Sequence, residues 1–193
     1  MKKLFAPRKL WLIPCCLALV SGIYILLVAL APAYIPTVQP QAIEQKLEKA
    51  PEIKENRLYI PAIGVDVAVV EGDTEAVLEK GAWHRQPENG NPEKGGNFVL
   101  SAHRFQMGIT PQHTNEKSPF YHIDKLKEGG DIYVDYNGKR FDYKITRKYQ
   151  VDRYAIAIEG PSTDAKMTLY SCDLRGEQAG REVIEARPVN ASR

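Results

Sequence analysis

The sequence is short of most signatures by which chemistry is recognised. Three cysteines in 193 residues are too few for a disulfide-stapled scaffold. Two of them, Cys15 and Cys16, are adjacent in an apolar run far from Cys172. No structural disulfide is expected in the soluble part, which leaves Cys172 as its only thiol. There is no His-x-His, Cys-x-x-Cys or His-Glu-x-x-His pairing at ligand spacing, so no metal site is expected. Glu71, Asp73 and Glu116 form no recognisable calcium loop, and calcium dependence stays open. A Gly-rich phosphate loop ahead of a helix is missing, as is Gly-x-Ser-x-Gly; no cofactor site is expected. Internal repeats and low-complexity segments are also lacking. A basic excess is lacking outside one end: the net charge is +2, residues 1–9 carry +4, and the rest carries −2. Nothing in that balance suggests a nucleic-acid surface, and no nucleic-acid partner is expected.

What is present begins with residues 10–31, 22 residues without a charge. About 20 apolar residues in a helix cross a bilayer's hydrocarbon core. Trp11, Tyr24 and Tyr34 suit the interfacial zones, and Lys2, Lys3, Arg8 and Lys9 precede the run. The positive-inside rule puts the tip 1–9 in the cytoplasm and everything after the anchor outside the cell membrane. Ala31-Pro32-Ala33 is a small-x-small cleavage pattern, but the run exceeds a signal-peptide core. A single-pass, uncleaved anchor is expected. Residues 32–56 read as a spacer broken by Pro32, Pro36, Pro40 and Pro51. Ile43, Leu47 and Ala50 fall at helical spacing and predict a short amphipathic helix over about 41–50.

The domain proper spans 57–193, enough for a real core. Residues 58–70 read as two strands about a turn at Ile63-Gly64, and Thr74 as the N-cap of a helical turn. Loops follow over 85–96 and 105–119, with a buried-looking strand at 97–102 between them. Residues 120–126 form a turn or short helix, and Gly129-Gly130-Asp131 a tight turn. Strands at 132–136 and 140–151 flank an Asn137-Gly138 hairpin signal. With the apolar run 154–158 and the pair 167–171 and 182–187, the tally is about eight short strands. Many short strands with Gly/Pro turns mean an all-β sandwich or barrel.

The chemistry concentrates near the C-terminus. The strand 167–171 ends on Cys172, and Arg181 opens the last strand, so a hairpin brings a thiol and a guanidinium together. A thiol beside a fixed cation is a candidate nucleophile, although a small buried thiol in a strand has the same pattern. Arg175 competes for the cation role from the intervening loop. His103 ends a strand as Cys172 does, and both can lie at one rim of a barrel. His84, His113 and His122 fall in loops or turns, and periodicity alone does not choose among the four histidines.

Thr168-Leu-Tyr-Ser-Cys172, with Arg181 nine positions later, resembles the sortase signature Thr-Leu-x-Thr-Cys then Arg. Phe98-Val-Leu-Ser-Ala-His-Arg104 is similar to the sortase His motif. Leu58-x-Ile-Pro-x-Ile-Gly-Val65 resembles the family's opening strand, and Phe120-x-x-Ile-Asp-Lys-Leu-Lys-x-Gly129 its central segment. The four stand in family order behind an apolar run. Ser171 replaces the usual Thr, Ala102 the usual Gly before the His, and 151–166 lacks the family's proline pattern.

The resemblance implies a closed eight-stranded β-barrel with short helices, preceded by one transmembrane helix. It implies a transpeptidase in which Cys172 is the nucleophile, His103 the general acid/base and Arg181 the electrostatic stabiliser. Its partners would be secreted proteins bearing a C-terminal Leu-Pro-x-Thr-Gly-like sorting signal. The amine acceptor would be a cell-wall precursor or a pilin lysine. The residues themselves leave two other readings open, a Cys-His hydrolase using water and an inactive barrel that binds sorting signals.

Overall fold

A computed structural model of the chain describes residues 12–36, 38–48 and 54–189; the tip 1–9 lies outside them. Helix α1 (Leu12–Tyr34) is apolar along its whole length, with mean hydropathy 2.5. It runs through Pro32, past the expected end at residue 31. Pro32 gives up its own bond to Val28, yet the helix continues past it, and Ile35 N bonds Ala31 O at 2.8 Å. Helix α2 (Pro40–Glu48) fulfils the expected amphipathic helix and packs on the domain through the buried Ile43. Ala50 lies outside the described residues.

Nine strands follow. They are β1 (Arg57–Ile60), β2 (Val65–Val70), β3 (Ala82–Arg85), β4 (Gly90–Asn91), β5 (Gly95–Ser101), β6 (Asp131–Tyr136), β7 (Lys139–Val151), β8 (Lys166–Asp173) and β9 (Gly176–Pro188). Eight form one sheet in the order β3-β2-β1-β6-β7-β9-β8-β5, and β3 also pairs with β5. That last pairing closes the sheet into an eight-stranded barrel and removes its free edges. β4 is a two-residue addition to β5. The neighbours are antiparallel except β2–β3 and β5–β8.

The turns follow local chemistry. Pro61–Ile63 is a 3-10 turn closed by Gly64 at φ 65°, the left-handed conformation glycine adopts at no steric cost. Asn137 and Gly138 have φ 50° and 79°, the type I′ pattern that joins β6 to β7. Thr74 precedes the 3-10 helix Glu75–Lys80, but its side chain makes no capping bond.

Three further expectations are corrected. The run 154–158 is not a strand; the 3-10 helix Ile156–Glu159 occupies it, with Tyr154 and Ile156 exposed. The run is apolar without the period of two that a half-buried strand requires. Its place in the barrel is taken by β3, which contains His84. That histidine is buried in the strand rather than in a loop, with Nδ1 3.0 Å from Glu71 Oε1 and Nε2 3.0 Å from Gly90 O. The loop at 105–119 also holds a short helix, α3 (Pro111–Glu116), capped by the Thr110 side chain.

Alternation sorts the side chains. Leu58, Phe98, Leu100, Ala102, Val134, Met167, Leu169 and Ile184 point into one core, with Phe120, Ile123 and Leu126 packed among them. The opposite face of β5, β8 and β9 carries a smaller cluster, Val99, Tyr170 and Val183, covered by Tyr149, Val151 and Ile158. This outer face leads to the site.

Candidate active site

The site is built on three adjacent strands in register. β5 and β8 run parallel, with Val99 beside Thr168 and Ser101 beside Tyr170. The ladder ends there, and His103, two residues beyond Ser101, lines the same cleft as Cys172. On the other flank Cys172 is the Cα partner of Arg181 across the antiparallel β8–β9 pair. Met167 and Leu169 face the core, so Thr168, Tyr170 and Cys172 face outward, and Ser101 and His103 share that parity. Adjacent strands lie about 4.8 Å apart, so His103, Cys172 and Arg181 form a short row across the outside of the barrel. All three line one cleft of about 250 Å³.

The chain beyond β5 leaves the sheet and is held by its neighbours. Ser171 Oγ donates to Ala102 O at 2.9 Å, tying the residue before Cys172 to the residue before His103. Phe120 N donates to His103 O at 3.2 Å. Arg104 is buried and donates from Nε to Tyr121 O at 2.8 Å and from Nη2 to Asp124 Oδ1 at 2.6 Å. His103 Nε2 lies 3.7 Å from Glu79 Oε1, and Lys117 Nζ sits 2.5 Å from the other oxygen. The Lys117 hydrogen bond holds the Glu79 carboxyl below the usual range.

The two candidate cations part company. Arg175 folds back on Asp173 through Nε and Nη2, each 3.0 Å from a carboxylate oxygen. Its side chain is 71% exposed and outside the cleft. Asp173 is held down to about 2 by that hydrogen-bonded guanidinium. Arg181 is half-buried, lines the cleft and donates from Nη1 to Gly180 O at 3.1 Å. Of the remaining histidines, His84 is buried elsewhere, and neither His113 nor His122 reaches the cleft. Burial lowers the His122 pKa. Cys172 takes part in no disulfide.

Several cleft residues escape inspection of motifs. Trp83, Arg85, Arg153, Glu159 and Tyr170 all line it. Glu159 accepts from the Tyr170 hydroxyl and pairs with Arg85 Nε at 3.1 Å. Burial, then the Glu159 carboxylate, raises the Tyr170 pKa. Asn97 Nδ2 donates to Ile158 O at 3.0 Å and Gly160 O at 2.7 Å, and Thr168 Oγ1 donates to Asn97 Oδ1 at 2.7 Å. The 152–165 segment is thereby fastened along one wall of the cleft. Tyr170 was available from alternation, two residues before Cys172; the others come from distant segments. Among the described residues no group of His, Cys, Asp and Glu is arranged to hold a metal ion.

A barrel closed by β3–β5 pairing, with a thiol, an imidazole and a guanidinium on adjacent strand ends, defines a class that the comparisons name. The sortase domain model matches residues 58–189, and the chain belongs to the sortase family. Sortase A of Listeria monocytogenes is 26% identical over 126 residues, 65% of this chain and 52% of that protein. The chain thus spans about half the length of that curated relative. The solved structure of Listeria monocytogenes sortase A superposes with a TM-score of 0.61 at 23% identity, covering 72% of this chain and 89% of that one. A Clostridium perfringens sortase C structure with the C-terminal cell wall sorting motif gives a TM-score of 0.55 at 24% identity, covering 70% of each chain. These two structural likenesses carry the fold.

Proposed function

We propose that the protein is a membrane-anchored cysteine transpeptidase acting on C-terminal sorting signals of secreted proteins. The observation that carries this reading is the outward row His103, Cys172, Arg181 on neighbouring strand ends in one cleft. Cys172 sulfur attacks the carbonyl carbon of a backbone amide, typically the Thr-Gly bond of a Leu-Pro-x-Thr-Gly-like motif. The Arg181 guanidinium stays charged and donates to the oxyanion as it develops; one such donor is worth about 3 kcal/mol. His103 protonates the leaving nitrogen, the C–N bond breaks, and the acyl group remains on sulfur as a thioester. An incoming amine then attacks the thioester, His103 takes its proton, and the thiolate leaves. This scheme draws on side chains alone and calls on no metal or cofactor.

The family and the sorting-motif complex of the Clostridium perfringens relative support a sorting-signal substrate. The apolar α1 supports anchoring, and the basic residues Lys2, Lys3, Arg8 and Lys9 ahead of it support a cytoplasmic N-terminus with the barrel outside. The acceptor is an amine on a cell-wall precursor or a pilin lysine. Incubating the protein with a fluorescent sorting peptide, with and without an amine such as a glycine oligomer, tests the scheme. A peptide–amine conjugate is expected. Exclusive formation of the free acid at high amine concentration would instead identify a hydrolase.

A further inference from the structure

The segment 105–110 leaves the site directly after His103 and Arg104, and it is unusual in what it exposes. Phe105 is 40% exposed, Met107 48% and Ile109 79%. They alternate with Gln106 and Gly108, so three large apolar side chains leave the loop at every second position. A loop that meets only water has no reason to do this.

Its backbone is equally unusual. Gln106 N donates to Ser118 Oγ at 3.0 Å, and that hydroxyl lies 3.3 Å from Gln106 O. Gly108 N donates to Thr114 Oγ1 at 3.0 Å, and Thr114 N donates to Thr110 O at 2.9 Å. The Tyr24 hydroxyl of α1 donates to Ile109 O at 2.8 Å. Water would satisfy these groups for an ordinary surface loop. Here the protein does so, which is what irregular backbone needs where water is scarce. The loop lies close on α3, since a Cβ at Gly108 would come 2.7 Å from the His113 carbonyl carbon.

The position completes the case. Helix α1 packs on α3 with Val28, Ala31 and Pro32 buried, and Asn115 Nδ2 donates to Ile35 O at 3.0 Å. Tyr24 stands ten residues before Tyr34, roughly 15 Å down the helix at 1.5 Å per residue. Half of a bilayer's hydrocarbon core is about 15 Å. A bilayer crossed by the length of α1 therefore reaches the loop bonded to Tyr24, inside the hydrocarbon region.

We infer that the 105–110 loop is a membrane-contact surface, inserting Phe105, Met107 and Ile109 among phospholipid acyl chains beside α1. It rests on the reading of α1 as a membrane span. The consequence is orientation: the strand end carrying His103 is tethered two residues from the lipid, so the Cys172 cleft is held against the bilayer.

The test uses the full chain, with Trp11→Phe, in vesicles of phosphatidylcholine and phosphatidylglycerol. Trp83, 8% exposed in the wall of the cleft and donating to Gly72 O, supplies the reference emission. Ile109→Trp reports the loop, and Leu17→Trp reports α1. With lipids brominated at shallow and at deep positions of the acyl chain, the Ile109→Trp emission above the Trp83 reference should fall by half or more with one of the two. Quenching at Leu17→Trp with none at Ile109→Trp would overturn the loop contact and leave the anchor standing, with the apolar trio then a protein-facing surface. Quenching at neither position would overturn both.

Discussion

Arg175 and Arg181 both lie within ten residues of Cys172, and only pairing distinguishes them. Arg181 faces Cys172 across the β8–β9 ladder. Arg175, in the turn, is consumed by Asp173. A guanidinium aimed into the cleft can offer a planar fork to an oxyanion, whereas a lysine offers a point charge. Arg181→Lys should therefore lower kcat/KM for peptide transfer by roughly 100-fold, the loss that accompanies removal of one oxyanion donor. Arg175→Ala should stay within about threefold, as expected of a side chain outside the site. Steady-state transfer of a sorting peptide to an amine measures both, and equal losses would remove the distinction.

The parallel junction of β5 with β8 is the element on which the site depends. The ladder ends at Ser101–Tyr170, and the Ser171 hydroxyl carries the alignment one step further by bonding Ala102 O. Ser171→Ala leaves that buried carbonyl without its donor, at a cost of about 1–3 kcal/mol. It should lower both the melting temperature and turnover, while Ser171→Thr, which keeps the hydroxyl, should preserve turnover. Urea unfolding alongside transfer assays decides this; unaltered turnover in the alanine variant would show that the bond does not align the site. This junction also marks where sequence reasoning stops. Strand ends at His103 and Cys172 were legible from alternation and flanking turns, but their proximity depends on a parallel register between segments some seventy residues apart. Residues 82–85 were not legible as a strand, because four residues containing a buried His and an Arg carry no alternation signal. The apolar run at 154–158 misled in the opposite sense. Its Ile158 covers the outer cluster while Ile156 remains in solvent, so hydrophobicity there reports a wall of the cleft and not a barrel strand.

Across the molecule, the barrel is tied to the segment that precedes it. Arg140 is buried and bonds Asp135 through Nε at 2.7 Å and Nη2 at 2.9 Å. Its Nη1 donates to Leu47 O at the end of α2 at 3.0 Å, and Tyr59 donates to the same Asp135 at 3.1 Å. Removing one member strands a buried charge, which costs about 3–5 kcal/mol. Asp135→Ala should lower the melting temperature by roughly 10 °C without changing which residue is acylated; an unchanged transition in a thermal scan would contradict the clamp. The fold class was legible because short alternating strands and glycine turns admit few architectures, while closure through β3 was not. The account as a whole turns on one covalent bond, and intact-mass analysis of the protein after brief incubation with a sorting peptide measures it directly. The prediction is an adduct equal to the acyl fragment, mapped to Cys172, that disappears on addition of an amine as the conjugate appears. Absence of that adduct, together with undiminished turnover by Cys172→Ala, would contradict it.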